Sequence, residues 1–182
     1  MQFKYLMPTK VFFGRGSVRE NSSELASFGK KALIVTGGSS AKLSGALSDI
    51  AAALEGLGIE YSVFDKVENN PSPETVKAGG EAAKDIKADF IIGIGGGSPL
   101  DAAKGVAVLA VNDMDPMELY TNSFRNKPLP IVAVPTTAGT GSEVTPYSIL
   151  TRNDLKTKMS FGNADTFPKV AFLDPAYTET MP

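Results

Sequence analysis

The stretch Phe90-Ile91-Ile92-Gly93-Ile94-Gly95-Gly96-Gly97-Ser98-Pro99-Leu100-Asp101 decides how the rest of the chain is read. Its first five residues form an apolar run suited to a strand buried on both faces, and Ala102 to Val111 beyond it is a helical segment of small residues. The three glycines between remove every Cβ where the backbone turns, so an anionic group can approach main-chain N–H groups. Ser98 suits the N-cap, Pro99 the first helical position and Asp101 the N3 position of a capping box. Local chemistry alone leaves two readings open, a phosphate cradle and an ordinary capped strand-to-helix turn.

The neighbouring segments repeat the pattern. Ala32-Leu33-Ile34-Val35-Thr36 reads as a buried strand closed by Gly37-Gly38-Ser39-Ser40. Leu43, Ala46, Leu47, Ile50, Ala51, Leu54 and Leu57 share one face of a helix ending near Gly56 or Gly58. Tyr61 to Phe64 is the next strand, and after the loop Val67 to Pro71, Ser72 and Pro73 start a helix that runs to about Ile86. Ile131 to Val134 is a further strand. Strands alternating with helices call for right-handed crossovers, and the fold expected is α/β: a Rossmann-like, open, mostly parallel sheet with helices on both faces. Outside this core, Val11 to Phe13 reads as a short strand or hairpin arm, and Tyr147 to Leu150, Lys158 to Phe161 and Val170 to Leu173 as short strand-like pieces.

Composition narrows the function. The 182 residues suit one domain, are 42% hydrophobic and 21% charged, and carry a formal net charge of −2, which argues against a nucleic-acid partner. No apolar run is long enough to span a bilayer and Met1 to Lys10 is unlike a signal peptide, so a cytoplasmic protein without a membrane partner is expected. Cysteine and histidine are both absent, which excludes disulfides, thiolate metal sites, His-based metal sites and Ser-His triads.

In an open parallel sheet, ligands bind where loops converge at the carboxyl ends of the strands. Four loops are expected there: Gly37 to Ser40, Asn69 to Pro71, Gly95 to Ser98, and Thr136 to Ser142. Each taken alone is a polar turn, the plainer reading for Asn70. Together they are rich in glycine, hydroxyl and amide donors and lack a catalytic base, which suits a pyrophosphate-and-ribose ligand. Gly37, Ser39, Ser40 and Asn70 are accordingly counted as cofactor-binding candidates.

Gly95 to Lys104 and Pro135 to Thr145, together with Phe12-Phe13-Gly14-Arg15-Gly16 and Leu173-Asp174-Pro175, resemble the iron-containing alcohol dehydrogenase family, nearest to its butanol and 1,3-propanediol dehydrogenase-like members. The resemblance implies that Gly96, Gly97 and Ser98 hold a pyrophosphate, with Asp101 near the nicotinamide ribose. It places Thr136, Thr137 and Thr140 on the cofactor phosphates and ribose, and Thr145 and Lys158 at the nicotinamide end. Lys104 fits the family pattern but reads equally as a solvated lysine and is not counted. Glu143 reads as a cap or hydrogen-bond partner.

Members of the family that prefer NAD tend to carry an aspartate where this chain has Gly37. With glycine and hydroxyl donors there and Lys42 close by, NADP is expected first and NAD second. The family binds iron or zinc through an aspartate and three histidines on a second, helical domain. The chain is therefore expected to be a dinucleotide-binding domain over residues 1–182 without that metal-binding domain, catalytically incomplete by itself, its protein partner being the missing domain or a second copy. The alternatives are a freestanding nucleotide-binding module without metal-dependent turnover, and a sugar-phosphate site unrelated to redox.

Overall fold

The computed structural model describes residues 2–3, 6–179 and 181. Six parallel strands form the main sheet, in the order β1 (Lys10–Phe13), β8 (Val170–Leu173), β5 (Ile131–Pro135), β4 (Phe90–Gly95), β2 (Lys31–Val35) and β3 (Glu60–Phe64). From β2 the chain moves outward to β3 through the short helix α2 (Ser40–Leu43) and α3 (Ala46–Gly56). It then crosses back over β2 through α4 (Pro73–Asp85) to reach β4, and continues to β5 through α5 (Gly97–Leu109). The strand order thus changes direction at β2, and this topology opens a crevice outside the carboxyl ends of β2 and β4.

Both faces of the sheet are covered, which is why its central strands are apolar without alternation. Ile34, Ile92, Ile94, Val132 and Val134 pack with Ile50 and Leu54 of α3 and with Val18 of α1 (Ser17–Asn21). Leu33, Val35 and Ile91 pack on the opposite face with Val76 of α4 and with Val106 and Ala107 of α5. Helices α4 and α5 touch closely, since a Cβ on Gly105 would fall 2.5 Å from Val76 Cγ1. Outside the sheet, β6 (Ser148–Arg152) and β7 (Thr157–Phe161) form an antiparallel hairpin packed on α5. No helix among the described residues is long and apolar enough to cross a membrane.

The α/β architecture stands as expected, with local corrections. Of the two readings of the first segment the short strand stands and the hairpin arm does not: β1 is a parallel edge strand on β8, while Lys4 and Tyr5 lie outside the described residues. The helix expected from Leu43 to Leu57 is broken, because Gly45 takes a left-handed conformation (φ 84°) between α2 and α3. Leu43 is consequently 71% exposed rather than on the apolar face. Ser72 does cap α4, its hydroxyl accepting from the Thr75 amide at 3.2 Å, with Pro73 at the first position.

The cap expected on α5 is replaced. Gly96 is the N-cap, and Ser98 and Pro99 fall inside the first turn. Asp101 therefore lies beyond N3 and joins no capping box. The helix starts two residues earlier than expected, directly after Gly95, whose φ of 144° is a conformation that glycine adopts without strain.

Candidate functional site

The crevice between the ends of β2 and β4 is a cleft of about 290 Å³ lined by Gly37, Ser40, Glu68, Asn69, Gly96, Gly97, Ser98 and Thr137, so all four expected loops contribute to it. Its floor is the N-terminus of α5, where the first-turn amides of Gly97 and Ser98 have no intrahelical acceptor and the helix dipole favours negative charge. Thr137 and Thr140 stand over this floor. A Cβ on Gly96 would lie 3.3 Å from Thr137 Oγ1, and one on Gly97 only 2.8 Å from Thr140 Cγ2. Glycine at both positions keeps the amides open to a ligand and lets the threonine loop close over them.

The flanks hold the cleft in shape. The Asn70 amide donates to Ser98 Oγ at 3.2 Å, tying the β3–α4 loop to the glycine turn, and Asn70 takes the left-handed conformation (φ 60°) that asparagine tolerates. Glu68 accepts from the Ser72 amide and from Thr75 Oγ1, both at 2.9 Å. Burial pushes its carboxyl upward, but these hydrogen bonds outweigh that and hold it below the usual range. Gly37 is demanded by packing: a Cβ there would sit 1.8 Å from the Val67 carbonyl oxygen.

Not every expected residue lines this cleft. Ser39 is exposed, and its carbonyl accepts from Lys42 and Leu43 as α2 begins. Thr136 is buried at the end of β5, its hydroxyl without a partner among the described residues, and the Thr36 hydroxyl at the end of β2 is likewise orphaned. Thr145 is half-buried beyond the turn Ser142–Val144, and Lys158 is exposed on β7. Glu143 caps no helix among the described residues. It lines a second, apolar cleft of about 280 Å³ with Phe13, Pro135, Leu173, Asp174 and Pro175, at the ends of β1, β5 and β8. Thr137 borders both clefts, so polar and apolar hollows adjoin along the carboxyl edge of the sheet. Larger hollows beside Lys31 and Asn112 lie away from the glycine turn.

Lys104 is the residue that the sequence left ambiguous and the fold makes central. Its side chain is fully buried and that of Asp101 is 13% exposed, with Nζ 3.6 Å from Oδ1. Lys104 donates to Ser142 Oγ at 2.7 Å and to the Tyr147 carbonyl at 2.5 Å. Ser142 in turn donates to Asp101 Oδ1 at 2.6 Å, and the Ile149 amide donates to Oδ2 at 3.0 Å. Burial lowers the Lys104 ammonium to about 8 against the opposing pull of Asp101. Burial also raises the Asp101 carboxyl, outweighing its bonds to Ser142 and its attraction to Lys104.

The same arrangement of strands and loops recurs in known proteins. Residues 8–175 match the family model described as iron-containing alcohol dehydrogenase. The NADH-dependent butanol dehydrogenase A of Clostridium acetobutylicum is 35% identical over 100% of this chain and 47% of its own length. The NADPH-dependent butanol dehydrogenase of Clostridium saccharobutylicum is 37% identical over 98% and 46%. The crystal structure of an iron-containing alcohol dehydrogenase from Thermotoga maritima superposes with a TM-score of 0.93 at 45% identity, over 99% of this chain and 50% of that one. The chain spans about half the length of the relatives it matches. The matched residues take in the glycine turn, the threonine loop and every strand from β1 to β8, and the chain belongs to the iron-containing alcohol dehydrogenase family.

Proposed function

We propose that residues 1–182 are the dinucleotide-binding half of an alcohol dehydrogenase, and that they hold NADP(H) in preference to NAD(H). The observation that carries this reading is the convergence of four glycine- and hydroxyl-bearing loops on the N-terminus of α5. A pyrophosphate fits that floor: Gly97 and Ser98 offer amides, Ser98 and Thr137 offer hydroxyls, and Thr140 closes the side. The apolar cleft beyond Thr137 suits the nicotinamide end and the partner that covers it, because Phe13 at its rim is 77% exposed. Asp101, Thr136, Thr145 and Lys158 act from behind or beside that end rather than from the floor.

The preference for NADP rests on the turn after β2. No carboxylate stands at Gly37, and the Val67 carbonyl leaves no room for one. Lys42, on α2 directly after the turn, is held only loosely by Asp65 at 3.8 Å and is available to a 2′-phosphate. Relatives carry both NADH-dependent and NADPH-dependent names, so the choice is one each member makes locally.

When bound, the cofactor would accept a hydride from an alcohol, or return one to an aldehyde, at its nicotinamide ring; this chain's residues hold and orient it. The donor set does not fit the family's metal, since the chain has no histidine or cysteine and no cluster of three Asp or Glu residues occurs among the described residues. Paired NADPH and NADH titrations, with an alcohol-oxidation assay with and without ferrous iron or zinc, test the proposal. Tighter NADPH binding without metal-responsive turnover is expected. Tighter NADH binding overturns the cofactor preference, and robust turnover overturns the division of labour.

A further inference from the structure

We infer that Asp101, Lys104 and Ser142 form a buried anchor that positions the threonine loop over the glycine cradle, so that dinucleotide affinity depends on residues that never touch the dinucleotide. The inference rests on the cradle being a dinucleotide site. Its physical basis is a continuous path of contacts. Lys104 Nζ and Asp101 Oδ1 share the Ser142 hydroxyl, the Ser142 amide donates to Thr140 Oγ1 at 3.3 Å, and the Thr140 methyl stands over Gly97. A second branch leaves the same charges. The Ile149 amide donates to Asp101 Oδ2 at 3.0 Å and Lys104 donates to the Tyr147 carbonyl, while the Ser148 hydroxyl adds a bond to the main-chain carbonyl of Asp101 at 2.8 Å, so the β6–β7 hairpin is pinned to α5.

Placing a lysine and an aspartate in the interior is costly unless their hydrogen bonds are filled, and here the bonds come from two segments far apart in sequence. The charged groups acting on Lys104 are Asp101 on its own helix and Glu143 from the loop itself. A helix surface needing only a packing contact at this position would be served by an apolar side chain. The charges instead impose direction: Ser142 must present its hydroxyl to both, which sets where Thr140 falls. A serine bonded to a lysine also has the composition of a nucleophile and its base. Ser142 is only 4% exposed, however, and its proton is directed at Asp101, so the trio is a joint rather than a reactive centre.

The test uses the whole chain with three substitutions. Ser142→Ala cuts the joint without leaving a large void, Ser142→Thr restores a hydroxyl, and Lys104→Met removes the charge. Two ligands are titrated: NADPH, which crosses the cradle beneath Thr140, and adenosine 2′-monophosphate, which carries neither phosphate of the pyrophosphate and occupies only the Gly37 end. Ser142→Ala is expected to weaken NADPH about tenfold, the worth of one well-placed hydrogen bond, and to leave the monophosphate unchanged. Ser142→Thr is expected to recover most of that loss. Adding Ser142→Ala to Lys104→Met should cost no further affinity, because both cut the same path. Equal weakening of both ligands makes the trio merely structural and overturns the inference, as does unchanged NADPH affinity. Amide hydrogen exchange at Thr140 to Ser142 reads the anchor without any ligand. Faster exchange in Ser142→Ala is expected, and unchanged exchange overturns the anchor while leaving dinucleotide binding intact. Faster exchange in a protein that binds neither ligand instead overturns the dinucleotide site itself.

Discussion

The cleft and the anchor behind it lie at the two sides of one helix start and solve opposite problems. The cleft removes side chains, with glycines at 37, 96 and 97, so that backbone amides meet a ligand. The anchor inserts two charges where a helix normally buries alanine or valine, so that one loop is held in a single place. Openness at the cradle is useful only if the loop above it is fixed. On the proposed reading, binding geometry on this sheet edge depends on a polar joint buried beneath it.

The comparison breaks most visibly at Lys104. Lys104→Met leaves Asp101 buried beside no cation, and chemical denaturation should show a loss of about 3–5 kcal/mol. A loss below about 1 kcal/mol would mean that the pair is not buried as described. Next comes Gly37→Ala, whose Cβ meets the Val67 carbonyl oxygen, a backbone atom that cannot swing away. Overpacking of this kind costs about 1–3 kcal/mol, and a thermal melt that does not move would contradict the close approach.

The pH dependence sharpens the same contrast. Lys104 is held down to about 8 in the folded protein, whereas an unfolded lysine titrates near about 10.4. Between those values the unfolded chain binds more protons at this site, so raising the pH stabilises the fold there. Burying the charge therefore costs most below about 8, and the cost is relieved as pH rises toward about 10.4. The melting-temperature gap between wild type and Lys104→Met should widen as pH is raised through that window. A constant or narrowing gap would contradict a buried Lys104.

The smallest effect belongs to a position where sequence and structure part. Leu43→Glu should change stability by less than about 0.5 kcal/mol, because Leu43 lies on the solvent side of the break at Gly45. Ile50→Ala, on the buried face of α3, should cost about 2–5 kcal/mol.

These positions also show what the sequence could carry. The sheet was readable because buried parallel strands are continuous apolar runs, as in Leu33 to Val35 and Ile91 to Ile94. The cleft was readable because glycine and hydroxyl residues gather at strand ends, and the four loops do meet there. The break at Gly45 was hidden, since Leu43, Leu47 and Ile50 keep helical spacing across it. Its only local sign was the glycine. The anchor was hidden for a different reason. Asp101 and Lys104, three residues apart on a helix, have the spacing of an exposed ion pair, and only the return of Ser142 and Ile149 over them shows that they are inside. Ser98, Pro99 and Asp101 mimicked a cap because they carry cap residues at cap spacing, while the backbone had already turned at Gly95 and Gly96.

The central claim, that the glycine cradle at the start of α5 holds the dinucleotide, is tested most directly by NADPH titration of wild type against Gly97→Val. The added side chain fills the floor under Thr140 and displaces the phosphate from the helix amides. Loss of charge-assisted bonds worth about 3 kcal/mol predicts affinity weakened by about 100-fold, read at a temperature where circular dichroism shows both proteins folded. NADPH binding that is equally tight in both proteins would contradict the account.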